Sequence, residues 1–217
     1  MKSLGLILFS FVLLASCKKE AGSGCISQTT ALPAVAAIYK DSIETLFKNN
    51  NISPDNKEFL TYNSWTTNDP GTPHTFFQLV TANQLSNGLP IFFSYLDYTF
   101  ENGVPYNLSG KVYGKANLDT HSSLSLSMLR QLAIIEAINK QGLNPTFKDS
   151  CFVAQFGYYD LNRASTTDTT TSYVKAWEVH PAHSQYPQCY IRDDNGSTLY
   201  FDSGIRLFYD VNSRKIN

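Results

Sequence analysis

Three Asn-Gly pairs constrain the fold of this chain more than any other feature. They are Asn87-Gly88, Asn102-Gly103 and Asn195-Gly196, and each stands between runs rich in apolar and aromatic residues. Both residue types tolerate a positive φ, which the tight turns of antiparallel hairpins need. The sequence therefore predicts strands that pair with their neighbours along the chain.

The runs between these turns alternate in the manner of half-buried strands. The run Leu89–Glu101 has one irregularity, because its apolar face changes near Ser94. That change predicts either a bulge near Ser94 or a strand covered on both faces at its start. The predicted strands cover residues 59–65, 74–84, 89–101 and 104–113 in the first half of the chain, and residues 152–158, 173–180, 188–193 and 198–201 in the second half.

Two segments have the three- and four-residue apolar spacing of amphipathic helices. The first starts near Thr30 and stops at residues 49–51, and the second covers residues 125–140. Each helix precedes a group of strands, and a break near Ser122 separates two segments of similar size. Helices packed on one face of antiparallel sheets make an α+β fold. One side of the second helix carries Met128, Leu132, Ile135 and Ile138.

The N-terminus has the build of a bacterial lipoprotein signal. Lys2 is followed by an apolar run at 4–14, too short to span a bilayer, and then by Ala15-Ser16-Cys17. Small residues directly before a cysteine resemble the lipobox, in which the thiol takes a diacylglycerol. We therefore predict a signal peptide at residues 1–16, a lipid anchor at Cys17 and a tether at 17–29, an ordinary signal peptide being the alternative. Lys18 after the cysteine favours the outer membrane of the cell envelope.

The composition excludes one class of partner and leaves the disulfides open. A net charge of −1 with 16% charged residues presents no basic surface for nucleic acid. Beyond Cys17, three cysteines remain in a compartment that permits disulfides. Cys25 lies in the tether, so Cys151 and Cys189 are the candidate pair. If their strands flank a third strand, their Cα atoms are about 10 Å apart, which is too far for a bridge.

Short motifs in both halves resemble the propeptides of thermolysin- and fungalysin-like metallopeptidases. Together they span residues 30–202, nearly all of the mature chain. The resemblance implies two cystatin-like modules, an FTP-like module at 30–122 and a PepSY-like module at 123–217, each a helix packed on an antiparallel sheet. The motifs are Asn87–Phe92, Phe100–Gly103, Leu108–Gly110 and Leu124-Ser125 for the FTP module, and Ala176–Val179 and Tyr190–Leu199 for the PepSY module.

The resemblance also implies a partner, a secreted or envelope peptidase that the protein restrains or helps to fold. No His-Glu-x-x-His occurs in the sequence, so we predict a propeptide-like protein that is not an enzyme. A peptide- or glycan-binding module, or a structural subunit of a surface complex, is the alternative. In the resembled propeptides the end of the PepSY module approaches the peptidase cleft, which implies a partner contact at Gly204, Ile205, Arg206, Leu207, Phe208 and Tyr209. An edge strand of its own sheet is the other interpretation of that segment.

The remaining candidate residues are predicted to have structural roles. His180 and His183 could present two imidazoles to a metal, but Pro181 breaks a shared helical face, no carboxylate or cysteine is adjacent, and zinc needs three or four convergent ligands, so neither a metal nor a cofactor is predicted. Residues 193–197 superficially resemble a calcium loop, but a hairpin turn with its acidic side chains in water explains them better. Trp65 and Trp177 are candidates for a peptide or glycan groove, although core packing is the default for strand aromatics. Phe76 and Phe77 must point to opposite faces, which leaves one of them near solvent.

Overall fold

The computed structural model describes residues 25–30, 34–67, 74–141, 150–165 and 170–205. Cys17 and residues 206–209 of the predicted partner contact lie outside these ranges. The described elements, in chain order, are β1 Ile26–Thr29, α1 Ala37–Asn49, β2 Lys57–Thr67, β3 Thr75–Ser86, β4 Leu89–Glu101, β5 Val104–Ser109, α2 Leu126–Gln141, β6 Phe152–Asp160, β7 Tyr173–Pro181, β8 Gln188–Arg192 and β9 Thr198–Asp202.

All nine described strands belong to one mixed sheet. Its order is β2-β3-β4-β6-β7-β8-β9, with β5 paired to β4 and β1 paired in parallel to β6. The prediction of two cystatin-like modules, each with its own helix and antiparallel sheet, is therefore wrong. Hairpin signals predict only pairings between strands that follow each other along the chain. The two parallel pairings, β1 with β6 and β4 with β6, join strands far apart in sequence and merge the halves.

Both alternatives offered for the change near Ser94 are present, since β4 has a bulge there and its start is buried on both faces, and the bulge marks the place where the halves join. Phe93 has a φ of +64°, and the β3–β4 register is irregular between Asn83 and Leu85. Before the bulge, β4 meets β6 at Ile91, opposite Tyr158. Gly157 permits this approach, because a Cβ there would lie 2.6 Å from the carbonyl oxygen of Pro90.

Two of the three predicted tight hairpins are confirmed. Asn87-Gly88 and Asn102-Gly103 have positive φ at both residues, as a two-residue turn of this kind requires. In the third turn only Gly196 has a positive φ. Its loop spans more residues, since the Gly196 amide donates to the carbonyl of Arg192 at 2.9 Å.

Each helix covers one side of the sheet, but not with all of the residues that spacing suggested. Helix α1 buries Ile43, Leu46 and Phe47 against β2, β3 and β4. Helix α2 packs on β6, β7 and β8 through residues that include Leu129 and Ala133. Met128 and Ile135, predicted on one side with Leu132 and Ile138, are instead exposed. Because α2 is apolar over much of its circumference, periodicity alone did not select its buried face.

The described disulfide joins Cys25 to Cys151, with their Cα atoms 4.4 Å apart. The two cysteines directly precede β1 and β6, whose parallel register starts at Ile26 opposite Phe152, so they stand side by side. The candidate Cys151–Cys189 pair does not form, because β7 lies between their strands, which is the arrangement expected to keep these cysteines too far apart. Cys189 is a free, buried thiol. Burial raises its pKa to about 12, which disfavours the reactive thiolate form at neutral pH.

Candidate functional site

The described part of the predicted partner contact is small. Gly204 lies against the ring of Tyr186, which leaves no room for a side chain at that position. Ile205 is exposed. These two residues follow β9 and belong to no described strand.

The two tryptophans have opposite environments. Trp177 is 1% exposed, and its indole nitrogen donates to Oδ1 of Asp193 at 2.8 Å. Trp65 is 44% exposed on β2. Of the two groove candidates, Trp65 alone is available to a ligand.

Trp65 begins an aromatic strip that crosses the first half of the sheet. Its ring stacks on Phe77 of β3, with centroids 5.5 Å apart and planes 16° apart. Phe77 in turn meets the ring of Tyr106 on β5 edge-on at 6.0 Å. These three rings lie on the face opposite α1, since strand alternation places Phe77 opposite to buried Val80. Phe76 is also exposed, so the prediction that one of the two adjacent phenylalanines lies near solvent is confirmed.

Strand β5 is an open edge beside this strip. All six of its residues are exposed, and among the described strands it pairs only with β4. Three of them are large and apolar: Val104 is 61% exposed, Tyr106 66% and Leu108 50%. Natural sheets usually protect an exposed edge with charged side chains, and β5 carries none, so its apolar edge indicates an interaction surface.

A groove of about 480 Å³ borders the same strand. Ile52, Phe100 and Leu108 are among its lining residues, and Tyr106 also reaches it. Strand β5 thus has apolar surface beside it on both sides. We define the edge-strand site as Trp65, Phe77, Val104, Tyr106 and Leu108 together with this groove.

The corresponding face of the second half is closed by its own side chains. The Arg163 guanidinium lies 4.0 Å from the ring centroid of Phe93 and 4.5 Å from that of Tyr200. Its Nε donates to the hydroxyl of Tyr159 at 2.7 Å. Aromatic rings attract such a cation electrostatically, so Arg163 holds the loop after β6 on this face.

Glu178 lies on the same closed face. Gln188 and Tyr190 donate hydrogen bonds to its carboxylate. Burial nevertheless raises the pKa of Glu178, because removal from water disfavours the charged form. Desolvation and the nearby Glu178 also raise the pKa of Tyr190. The polar side chains of Glu178, Gln188 and Tyr190 thus form hydrogen bonds with one another.

Two buried carboxylates stabilise the loops of the second half. Asp193 accepts hydrogen bonds from the backbone amides of Ser123 and Leu124 as well as from Trp177. Asp160 accepts from the backbone amides of Asn162 and Ser172, and also from Lys111 at 3.1 Å. The prediction that both acids of the 193–197 turn lie in water is wrong for Asp193 and confirmed for its neighbour Asp194. Strand periodicity did not reveal these roles, because the donors come from distant segments.

The described residues contain no group of three or more His, Cys, Asp and Glu side chains placed to hold a metal ion. No helix in the described ranges is long and apolar enough to cross a bilayer.

Comparison with known proteins yields no match, either to a protein-family model or to a curated protein.

Proposed function

We propose that this protein is a lipid-anchored, non-enzymatic binding protein of the cell envelope that captures an extended segment of a protein partner along β5. The observation that carries the proposal is the fully exposed, apolar β5 edge beside the aromatic strip. The lipid anchor at Cys17 rests on the sequence motif alone. The edge-strand site rests on geometry.

The backbone of β5 specifies the form of the ligand. An edge strand presents unpaired N–H and C=O groups at strand spacing, and an extended peptide satisfies them by adding one more strand. Successive side chains of an added strand point to opposite faces of the sheet. One set would contact Tyr106 and the aromatic strip, and the other would enter the groove beside Leu108.

The apolar side chains supply the affinity. Burying one side chain of this size contributes roughly 1.5–3 kcal/mol, and exposed aromatic residues are frequent binding hot spots. Pro105 removes one backbone donor within β5, which is compatible with an edge strand and restricts the register of the added peptide. The expected ligand is therefore a short extended segment with alternating apolar residues.

Two partner classes follow from this arrangement. The motif resemblance predicts a secreted or envelope peptidase whose own chain supplies the extended segment. A glycan is the second class, because sugars would use the exposed ring of Trp65 without needing the backbone edge. The two classes differ in whether Leu108 contributes to binding.

The deciding experiment is partner capture with matched variants. The mature chain carrying Cys17→Ser is used to capture proteins from envelope and culture extracts of its host, and captured proteins are identified by mass spectrometry. The Tyr106→Asp and Leu108→Lys variants should lose the partner. Ile38→Asp is the control, since Ile38 is similarly exposed but lies on α1.

Capture that survives both β5 substitutions, or that Ile38→Asp also abolishes, would contradict the proposal. Capture that needs Trp65 but not Leu108, and that glycosidase treatment removes, would replace the peptide by a glycan. Dose-dependent loss of activity in a captured peptidase would establish restraint as the function. The anchor is tested separately, because the Cys17→Ser protein should leave the membrane fraction.

A further inference from the structure

The end of the described chain lies near one end of β5. Gly204 packs directly against the ring of Tyr186. Burial, the Glu178 carboxylate and the nearby Tyr186 hydroxyl raise the pKa of Tyr95, so the two tyrosines are neighbours. Gly110, the residue that follows β5, lies against the backbone carbonyl of Tyr95 and has no room for a side chain. A path through these two tyrosines therefore leads from the end of the described chain to the C-terminal end of β5.

The sequence beyond this point is long enough to follow β5. Ile205 is exposed, and twelve residues, 206–217, come after it. Fully extended, they span up to about 40 Å. Strand β5 has six residues and is about 20 Å long. A segment that starts near the C-terminal end of β5 and lies along this strand runs antiparallel to it.

The composition of this segment matches the two apolar surfaces beside β5. Residues 207–211 are Leu-Phe-Tyr-Asp-Val, and only one of them is charged. In an extended strand Leu207, Tyr209 and Val211 share one face, and Phe208 lies on the other. Strand β5 has the aromatic strip on one side and the groove on the other. Each face of the segment therefore has an apolar side chain for the surface that it would meet.

We propose that residues 207–211 occupy the edge-strand site of their own molecule as an antiparallel strand on β5, and that a partner binds by displacing them. This inference rests on the proposed function, because it concerns the regulation of the same site. A segment tethered beside its binding site acts at an effective concentration in the millimolar range. It therefore excludes weakly binding segments and covers an apolar edge that would otherwise pair with other copies of the chain.

The test uses the full mature chain with Cys17→Ser and, as the probe, a fluorescein-labelled synthetic peptide of residues 205–213. In the tail variant, Leu207→Asp is combined with Tyr209→Asp, which removes the apolar match of the internal segment. Fluorescence anisotropy should show that the tail variant binds the peptide at least about tenfold more tightly than the chain with its own segment intact, in which that segment competes.

Matched controls separate displacement from general effects of charge. Asn212→Asp combined with Ser213→Asp adds the same charge directly after the apolar run and should leave peptide binding as weak as in the intact chain. Adding Tyr106→Asp to the tail variant should abolish peptide binding without changing the melting temperature, because Tyr106 is exposed. Adding Ile38→Asp, on α1, should leave peptide binding unchanged.

Three results would overturn the proposal. The first is equal peptide affinity in the tail variant and the intact chain, and the second is peptide binding that survives Tyr106→Asp. The third is a concentration-dependent dimer in sedimentation velocity that the tail variant lacks, because the segment would then come from a second copy. A tail variant that captures a partner through Tyr106 and Leu108 but does not bind the peptide would leave the proposed function standing and remove this inference alone.

Discussion

The two halves of the sheet differ in how many faces they bury. In the second half, Trp177 packs under α2 on one face, and Tyr159 and Tyr190 pack with Phe92 on the other. In the first half, α1 covers one face, while the opposite face exposes the strip that begins at Trp65.

This difference separates stability from binding. A strand buried on both faces loses packing whichever side chain is shortened, so the second half is expected to dominate the free energy of unfolding. A face left open to solvent can change without large effects on folding. The first half therefore offers the surface that is free to recognise a partner.

Exchanging each tryptophan in turn tests the comparison most directly. Trp177→Ala should lower the free energy of unfolding by about 3–5 kcal/mol, because it removes a buried ring and leaves Asp193 without one donor. Trp65→Ala should lower it by less than about 1 kcal/mol. Urea denaturation followed by far-UV circular dichroism measures both. Equal losses for the two variants would show that burial of the second face does not set stability.

Removing the disulfide should have the next largest effect. The Cys25→Ser, Cys151→Ser double variant removes a link between residues 126 positions apart, and loss of a native disulfide typically costs roughly 2–5 kcal/mol. Cys189→Ala, which alters a buried but unlinked cysteine, should cost about 1 kcal/mol. Thermal unfolding with and without reductant provides the measurement. A wild type indifferent to reductant would contradict the role assigned to the link.

The buried carboxylate of Asp193 gives a smaller, sharper test. Asp193→Asn keeps the shape but weakens hydrogen bonds to the amides of Ser123 and Leu124, at an expected cost of about 1–3 kcal/mol. Asp194→Asn changes the adjacent, exposed acid and should cost less than about 0.5 kcal/mol. Denaturant midpoints should separate the two variants. Similar midpoints would show that the hydrogen bonds of Asp193 contribute no more to stability than those of an exposed residue.

The smallest expected effect is a pH dependence. Because burial raises the pKa of Glu178 above 4.5, folding favours its protonated form. The stability that this provides is present below the unfolded pKa and is lost as pH rises through the raised folded pKa. Glu178→Gln should therefore gain stability relative to wild type as pH increases across that interval. A difference that does not change with pH would exclude Glu178 as the titrating group, and Glu44→Gln serves as the exposed control.

Local signals predicted individual elements well and their assembly poorly. The turns at Asn87 and Asn102 and the bulge near Ser94 depend on residues adjacent in the chain, and the structure has all three. The order of the strands depends on pairings such as that of Ile91 with Tyr158, which no local sequence pattern predicts. The prediction of two separate modules was wrong for this reason, because these long-range pairings join the strands into one sheet.

The residues of the candidate site were likewise visible in the sequence only as parts of local elements. Trp65 and Phe77 stood out in the sequence as aromatic strand residues, but only their position on the uncovered face makes them available. Val104, Tyr106 and Leu108 gave no signal of their own, because a short apolar strand is equally consistent with an edge or an interior position.

The sequence by itself determined the positions of the hairpin turns, the end of α1 and the approximate extent of α2, because each depends on neighbouring residues. The lipid anchor at Cys17 stays a prediction. The tertiary structure alone decided that Cys25 pairs with Cys151, that Asp193 is buried and that β5 remains an open edge. Those outcomes depend on which distant strands lie side by side. Which strands become neighbours is determined by the burial of apolar side chains over the whole sheet, and no single segment of the sequence determines it.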